Sequence, residues 1–349
     1  MKRKDYLYGL FLLLLAAGCT RDVVLELPYV PPKLVLNASV TEGQDVSAYL
    51  SKSWFLLDSV PDSELEEGTI RVYVNDQLRG TMQQADIPGD SINPKGQFVL
   101  PGCRVQAGDR LRLEAEAPDF DPVKGETLIP ETVPITGLDT VRFITSEGVN
   151  YLQPQMRVYI TFSDNPDKRN FYRLIVEKVT EYWKGDSVRI SSSYPKAGFY
   201  TDYFFNLRYE DPVFQFVASN PTLEQLDAST CRGTFTDDMF NGREYTVKSV
   251  FSPIQDSYRG DSITSIVHYD IRLLSISEDY YHYLTVIRNF SITFGDAYQD
   301  GLLEPSATYT NVTDGFGVIA GYQVAYWRIT MPFGSEPPLI TPWDKIWNL

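Results

Sequence analysis

The segment Arg110–Ala117, RLRLEAEA, alternates strictly between charged and apolar residues. Every odd-numbered position is Leu or Ala, and every even-numbered position is Arg or Glu. A period of two is typical of a β-strand that turns one face to a hydrophobic core and the other to water. The chain is therefore predicted to be mainly β.

The same alternation recurs upstream of this segment. Apolar residues occupy every second position from Leu34 to Val40 and again from Ile70 to Val74. Turn-forming pairs, Asn75-Asp76 and Pro101-Gly102, separate the runs. Short strands at this spacing predict an N-terminal immunoglobulin-like β-sandwich over residues 33–132.

The second half of the chain repeats strand patterns and adds one helix. Met156–Phe162 alternates, and a turn at Asp164–Asp167 leads into the apolar run Phe171–Val179, which predicts a hairpin. Ser277, followed by Glu278 and Asp279, is typical of a helix N-cap, and the helix is expected to end near Phe290. Further strands are expected at Glu244–Val250, Ile266–Leu273 and Gln323–Ile329. Residues 133–349 are therefore predicted to form a larger β-rich, sandwich-like domain with one short helix.

The N-terminus carries the pattern of an exported lipoprotein. Lys2, Arg3 and Lys4 precede an apolar run that ends in Leu15-Ala-Ala-Gly-Cys19. That run is too short to span a bilayer, so residues 1–18 are predicted to be a lipoprotein signal peptide and Cys19 to carry acyl chains such as palmitate. The alternative is an ordinary signal peptide with an incidental cysteine. Residues 19–32, which contain three prolines, are interpreted as an extended tether.

The composition is acidic. The formal charge is −15, and removal of residues 1–18 takes away three positive charges and one negative charge, which gives −17. Nucleic acids and anionic headgroups bind surfaces rich in Lys and Arg, so neither is expected as a partner. We expect a protein attached by its lipid to the outer membrane, on either its periplasmic or its cell-surface face.

Two cysteines remain besides Cys19. Cys103 lies in the predicted first domain and Cys231 in the second. An oxidising envelope compartment would allow them to form a disulfide that links the domains, and two separate thiols are the alternative.

An ordered series of short motifs extends over nearly the whole mature chain. In the first half it comprises the lipobox, which is the Leu15-Ala-Ala-Gly-Cys19 segment, the strand from Leu34, Gly96-Gln-Phe98 with Pro101-Gly102 and Gly108-Asp109, and Ile129-Pro130. In the second half it comprises Phe162-Ser-Asp164 with Asn170-Phe-Tyr172, Phe235-Thr-Asp237 with Phe240-Asn-Gly242, Leu274-Ser-Ile-Ser277, and Asn311–Gly317. In this order the chain resembles the Bacteroidota outer-membrane lipoprotein family catalogued as domain of unknown function 4249. The resemblance implies a lipoprotein whose relatives are often encoded beside TonB-dependent receptors. It supplies no catalytic residues.

Catalytic and metal-binding chemistry is weakly represented. The chain has two histidines, His268 in a predicted strand and His282 in the predicted helix, so neither a His-rich metal site nor a cofactor is expected. Asp164–Asp167 and Asp237-Asp238 offer oxygen donors that calcium prefers, yet their spacing matches no complete calcium loop. We interpret both stretches, and the Asn311–Gly317 segment, as turns.

Aromatic residues are concentrated between positions 199 and 209. Tyr200, Tyr203, Phe204 and Tyr209 are candidate ligand contacts, because Tyr and Phe form the stacking surfaces of glycan, peptide and protein recognition. Packing in a β core is the alternative for the same residues.

Three classes of function fit these observations. The first is a non-enzymatic accessory that binds a ligand for, or assembles with, a TonB-dependent receptor. The second is an envelope hydrolase acting on glycan or peptide, and the third is a purely structural or adhesion lipoprotein. Charge, anchor and resemblance favour the first.

Overall fold

The computed structural model describes residues 30–54, 62–85, 96–147, 151–184, 187–192, 207–214, 233–253, 257–259, 264–293, 309–333 and 337–342. The side chains of 146–147, 151–153, 184, 187–192, 258–259 and 287–293 are outside this description. The lipidation candidate Cys19, the cysteine Cys231 and the aromatic candidates Tyr200, Tyr203 and Phe204 also lie outside the described residues.

The described chain is mainly β, as the alternating sequence predicts. The N-terminal strands are β1 (Leu34–Val40), β2 (Asp45–Lys52), β3 (Thr69–Val74), β4 (Gln77–Thr81), β5 (Gln83–Gln84), β6 (Gln97–Arg104), β7 (Arg110–Glu116) and β8 (Val123–Leu128). The later strands are β9 (Ile135–Glu147), β10 (Tyr151–Ser163), β11 (Phe171–Lys184), β12 (Ser187–Ser192), β13 (Thr234–Thr236), β14 (Glu244–Phe251), β15 (Tyr258–Arg259), β16 (Thr264–Ile276), β17 (Val312–Thr313), β18 (Ile319–Thr330) and β19 (Leu339–Pro342). One α-helix, α1, spans Glu278–Thr293, and a 3-10 turn spans Pro212–Phe214.

The described strands form three sheets. An eleven-stranded sheet, the long sheet, has the order β12-β11-β16-β18-β1-β2-β6-β5, with β13, β15 and β19 paired beside it. A five-stranded sheet has the order β17-β8-β7-β3-β4, and a three-stranded sheet has the order β14-β10-β9. Tight turns set these registers: Asn75 and Asp76 both have positive φ, 52° and 64°, as the hairpin between β3 and β4 requires.

Both sandwich cores lie on the same face of the long sheet. The first core packs β1 and β2 against the five-stranded sheet, and the second packs β11 and β16 against the three-stranded sheet. Ile319 belongs to the first core and Ile329 to the second. These two residues of β18 are an even number of positions apart, so they point to the same side of the sheet.

The joint between the two sandwiches is a short parallel pairing of β1 with β18. Its registered pairs run from Ala38–Ile319 to Val40–Gly321. Backbone bonds from Leu36 N to Phe316 O at 2.8 Å and from Ala38 N to Val318 O at 2.9 Å extend it. The segment near residue 320, in the predicted second domain, therefore completes the first sandwich as well. Beyond Gly321, β18 continues past the end of β1 into the second sandwich.

Helix α1 covers the opposite face of the long sheet. Ser277 is its N-cap, as predicted: Ser277 Oγ accepts from Tyr280 N at 3.3 Å, and Ser277 O accepts from Tyr281 N at 3.0 Å. Tyr280 and Leu284 pack on a third apolar cluster with Ile175, Leu274 and Ala320 of the sheet. The sequence predicts a mainly β, sandwich-like fold with one helix, and the described residues have this fold.

Candidate functional site

Among the candidate ligand-contact aromatics, Tyr209 is the one within the described residues. It is 3% exposed, and its ring lies 4.7 Å from that of Phe214 in the second core. Its hydroxyl donates to Leu174 O at 3.4 Å. The ring of Tyr209 is enclosed by protein. For this residue the structure therefore agrees with the alternative reading, packing in the β core.

Cys103 lies near the end of β6 and lines a groove between loops of the first sandwich. The groove has a volume of about 690 Å³ and is lined by Glu42, Arg79, Gln106 and neighbouring loop residues. The thiol is half-buried, and burial raises its pKa, while Arg79 acts in the opposite direction. Within the described part of the chain Cys103 forms no disulfide, and the pairing with Cys231 stays a prediction.

The two acidic stretches that were interpreted as turns hold loops of the second sandwich together. Asp164 accepts a short bond from the Tyr172 hydroxyl and a 2.7 Å bond from Gly242 N. Asp237 accepts from Asn170 N at 2.7 Å and from Asn170 Nδ2 at 3.1 Å. Burial raises the pKa of Asp237 and of Tyr172. These carboxylates are therefore occupied by donors of the fold itself.

A row of charged residues crosses the long sheet on the face that carries α1. Glu177 and Glu181 come from β11, His268, Asp270 and Arg272 from β16, and Tyr326 and Arg328 from β18. We call this set the charged strip. The register places Glu177, Asp270 and Arg328 side by side across the three strands, with their side chains on one face.

Ion pairs organise the charged strip. Arg328 donates to both oxygens of Asp270, from Nε at 2.7 Å and from Nη2 at 3.0 Å, in a bidentate geometry. Arg272 Nη2 lies 2.6 Å from Glu177 Oε2, and its guanidinium stacks 5.6 Å above the Tyr326 ring. Burial raises the pKa of Tyr326 to about 12. Carboxylates engaged by arginine are poorly placed for proton transfer, so this chemistry suits recognition or architecture.

His268 is the first residue of the charged strip along β16. One ring nitrogen, Nδ1, is 2.9 Å from Thr330 Oγ1, and the other, Nε2, is 3.4 Å from Glu181 Oε1. Burial, and then the nearby Arg328, lower the pKa of His268, while Glu181 and Asp270 act in the opposite direction. The imidazole is therefore neutral at neutral pH and serves the packing of the strip.

Exposed large hydrophobic residues gather at one end of the second sandwich. Of the twelve such residues among those described, six lie from the midpoint of β9 onwards, late in β11, just after β18 or in β19: Val141, Ile144, Tyr182, Trp183, Phe333 and Leu339. We call this the distal end. It lies opposite the start of β1, because β18 runs parallel to β1 and then continues beyond it.

Sequence reasoning did not single out either the charged strip or the distal end. The signal for the strip is present in β16, where His268, Asp270 and Arg272 occupy alternate positions. The same pattern occurs in an ordinary strand with one solvent-facing side. The sequence alone therefore does not distinguish the charged strip from such a strand. The distal end is assembled from strand ends far apart in sequence, and no local pattern marks it.

Comparison with protein families identifies the chain. The model of one family, described as Domain of unknown function (DUF4249), matches residues 20–328. The chain belongs to the DUF4249 family. A comparison with curated proteins finds no match. The DUF4249 match includes the joint, the helix, the charged strip and most of the distal end.

Among the described residues of this DUF4249 chain, no helix combines the length and hydrophobicity needed to cross a bilayer. In the same residues, no group of three or more His, Cys, Asp or Glu is placed to hold a metal ion.

Proposed function

We propose that this DUF4249 protein is an outer-membrane lipoprotein, anchored through Cys19, that acts without catalysis as a binding or assembly partner of a TonB-dependent receptor. The observation that carries the proposal is the distal end. Half of the exposed large hydrophobics in the described residues lie there, on the side of the fold away from the tether. Several large hydrophobic side chains exposed at one end of a folded protein favour a site of interaction there.

The composition of the distal end supports a protein partner. Tyr182 and Trp183 are 42% and 37% exposed, and Tyr and Trp are the residues most often found at the energetic centres of protein interfaces. The charged strip adjoins Trp183 on the same face of the long sheet, because Trp183 and Glu181 are two positions apart along β11. Arginine pairs beside exposed aromatics resemble the apolar centre and polar rim of an interface.

The architecture supports an anchored accessory. The tether, with Pro31 and Pro32, leads into β1, which is an interior strand of the long sheet. The chain that follows Pro32 therefore enters the sheet that both sandwiches share. The family resemblance implies relatives that are often encoded beside TonB-dependent receptors, and this implication supplies the proposed class of partner.

The test is purification of the full chain from outer membranes in mild detergent. We expect a barrel receptor to co-purify with the native protein. Trp183→Ser should reduce its recovery about tenfold, the loss expected for a residue at the centre of an interface. Leu78→Ser, a change at a hydrophobic residue of the first sandwich that is even more exposed than Trp183, should leave recovery unchanged. Equal recovery with all three proteins, or no receptor with any of them, would contradict the proposal.

The anchor has its own test. Cys19→Ala should abolish incorporation of labelled palmitate and release the protein from the outer-membrane fraction. Cys103→Ala, which changes a half-buried thiol on the first sandwich, serves as the matched control and should retain both label and location. Label that persists in Cys19→Ala would contradict the anchor.

A further inference from the structure

The groove that Cys103 lines in the first sandwich has the size of a ligand site. It lies between the turns that follow β1, β3 and β6. Its volume of about 690 Å³ falls within the range of about 300–1,000 Å³ that is usual for small-molecule sites. Val74 and Val105 line the groove and also belong to the first core. The groove therefore reaches from charged loops to the edge of an apolar core.

Hydrogen bonds within the chain fix one wall of the groove. Asn75 Nδ2 donates to Asp109 Oδ1 at 2.7 Å, and Asp109 Oδ2 accepts from Gln106 N at 2.8 Å. Asn75 Oδ1 accepts from Arg110 N at 2.9 Å. Both side-chain oxygens of Asp109 and both polar atoms of the Asn75 side chain are thus engaged by the fold. A wall held in this way loses little conformational freedom when a ligand binds.

Four charged side chains line the groove, and two of them are already engaged. Asp109 accepts the two bonds just described, and Arg104 Nε lies 3.3 Å from Asp45 Oδ1. Glu42 and Arg79 are exposed, and among the described residues neither has a hydrogen-bond or ion-pair partner. The groove therefore offers a ligand one unpaired carboxylate and one unpaired guanidinium.

We propose that this groove binds a short peptide with free termini, whose carboxylate contacts Arg79 and whose ammonium group contacts Glu42. A ligand with charge of one sign would bring like charge to one of these two side chains, whereas a zwitterion complements both. The planar guanidinium binds a carboxylate through two parallel hydrogen bonds. The groove is of the size that takes drug-sized ligands, which favours a short peptide over a single amino acid.

This peptide site goes beyond the proposed receptor contact and does not depend on it. The residues that line the groove belong to the first sandwich, and none of them is part of the distal end. A loss of peptide binding and a loss of receptor binding are therefore separate observations.

The experiment measures binding of tetra-alanine to the full chain, purified in mild detergent, by isothermal titration calorimetry. Tetra-alanine carries charge at its two termini alone. We expect saturable binding, and binding about tenfold weaker after either C-terminal amidation or N-terminal acetylation, because each change removes one charged contact. Alanine, the probe for a single amino acid as the ligand, should bind more weakly than tetra-alanine.

Two variants assign the contacts to residues. Arg79→Gln should weaken binding of tetra-alanine about tenfold but leave binding of the amidated peptide unchanged, because that peptide lacks the carboxylate. Glu42→Gln should act in the same way on the free and the acetylated peptide. Both side chains are exposed, so neither change disturbs the core. Lys124→Gln, at an exposed charge on β8 outside the groove, is the matched control and should bind like the native protein.

Four results would overturn the peptide site. They are no binding of tetra-alanine up to millimolar concentration, binding of alanine as tight as that of tetra-alanine, equal binding by all the variants, and undiminished binding of a peptide blocked at both termini. The last result would identify an internal segment of a longer chain as the occupant. The receptor contact is tested separately by co-purification, so it stands or falls independently of these results.

Discussion

Gly317 lies at the joint of the two sandwiches, where the backbones of two neighbouring segments approach closely. Its φ is +114°, and a Cβ placed there would lie 2.0 Å from Leu36 O on the neighbouring strand. Only glycine permits this approach of two backbones. The sequence predicts a turn over Asn311–Gly317, and the structure adds the reason for the glycine, which is the passage of the chain beside β1.

Gly317→Ala should lower the free energy of unfolding by more than about 3 kcal/mol, because the backbone of β1 or of residue 317 must shift. Gly102→Ala is the matched control: φ is +76° there, and no atom lies within 4 Å of the added Cβ. It should cost only the left-handed strain, about 1–2 kcal/mol. Urea unfolding of the three proteins measures both. Equal losses would show that the joint does not depend on close backbone contact.

His268 makes stability depend on pH in a defined direction. Its pKa in the folded chain lies below the usual value of 6.5, so the unfolded chain binds the proton more readily. Stability is therefore complete above 6.5 and falls as pH drops from there toward the folded pKa, by up to about 1.4 kcal/mol per pH unit.

His268→Gln should remove that part of the pH dependence, measured as urea unfolding at intervals between about pH 7.5 and 5.5. The chain provides its own control, since the other histidine, His282, has a half-exposed side chain on α1. His282→Gln should keep the native pH profile. A His268→Gln profile parallel to that of the native protein would contradict burial of a neutral imidazole.

The charged strip shows why residue roles were harder to predict than strands. The alternation in Arg110–Ala117 indicates a strand because its inner face is purely apolar. In β16 the apolar and charged faces are both buried in part, so alternation predicts the strand without predicting that Asp270 is 2% exposed. Burial there depends on Arg328 and Glu177 of neighbouring strands, and that pairing follows from tertiary register.

At the scale of elements, α1 was predictable because its start is encoded locally. Ser277 followed by two acids indicates an N-cap, and the helix begins at Glu278. The structure adds a tertiary contact that no local pattern contains: Ser277 Oγ also accepts from Gly321 N at 3.2 Å, in β18 beside the joint. The cap thus connects the helix to the strand that links both sandwiches.

Ser277→Ala should reduce the free energy of unfolding by about 1–2 kcal/mol, because Tyr280 N and Gly321 N lose their common acceptor. Ser47→Ala, at an exposed position of β2, should change it by less than about 0.5 kcal/mol. Thermal or urea unfolding decides the comparison. A Ser277→Ala protein as stable as the native one would show that α1 is held by its apolar face alone.

The strand segments themselves were predicted closely, whereas their partners were not. Met156–Phe162 falls within β10 and Phe171–Val179 within β11, yet the long sheet depends on a parallel pairing between β1 and β18. That pairing joins residues about 280 positions apart, as the Thr41–Gln323 hydrogen bond does. Hydrophobic periodicity predicts which face of a strand is buried, but it contains no information on such long-range neighbours.

At the scale of the molecule, the long sheet makes the two sandwiches mechanically continuous. The predicted division at residues 132 and 133 separates two cores that share β18. We expect one cooperative unfolding transition, because neither core can open without breaking pairs at the joint.

Fluorescence of Trp54, in the first sandwich, and of Trp327, in the second, tests this expectation. Each is observed in a variant that lacks the other tryptophans, and both signals should change at the same urea concentration. Two separate midpoints would show independent domains.

In the proposed function, the predicted lipid at Cys19 holds one end of the molecule and the exposed hydrophobic residues of the distal end contact the receptor. Site-specific photocrosslinking in living cells tests this directly. A photoreactive residue in place of Trp183, on the distal end, should form a crosslink to an outer-membrane barrel receptor. The same residue in place of Leu78, on the first sandwich, should form none. Crosslinking of equal strength at both positions, or at Leu78 alone, would contradict the account.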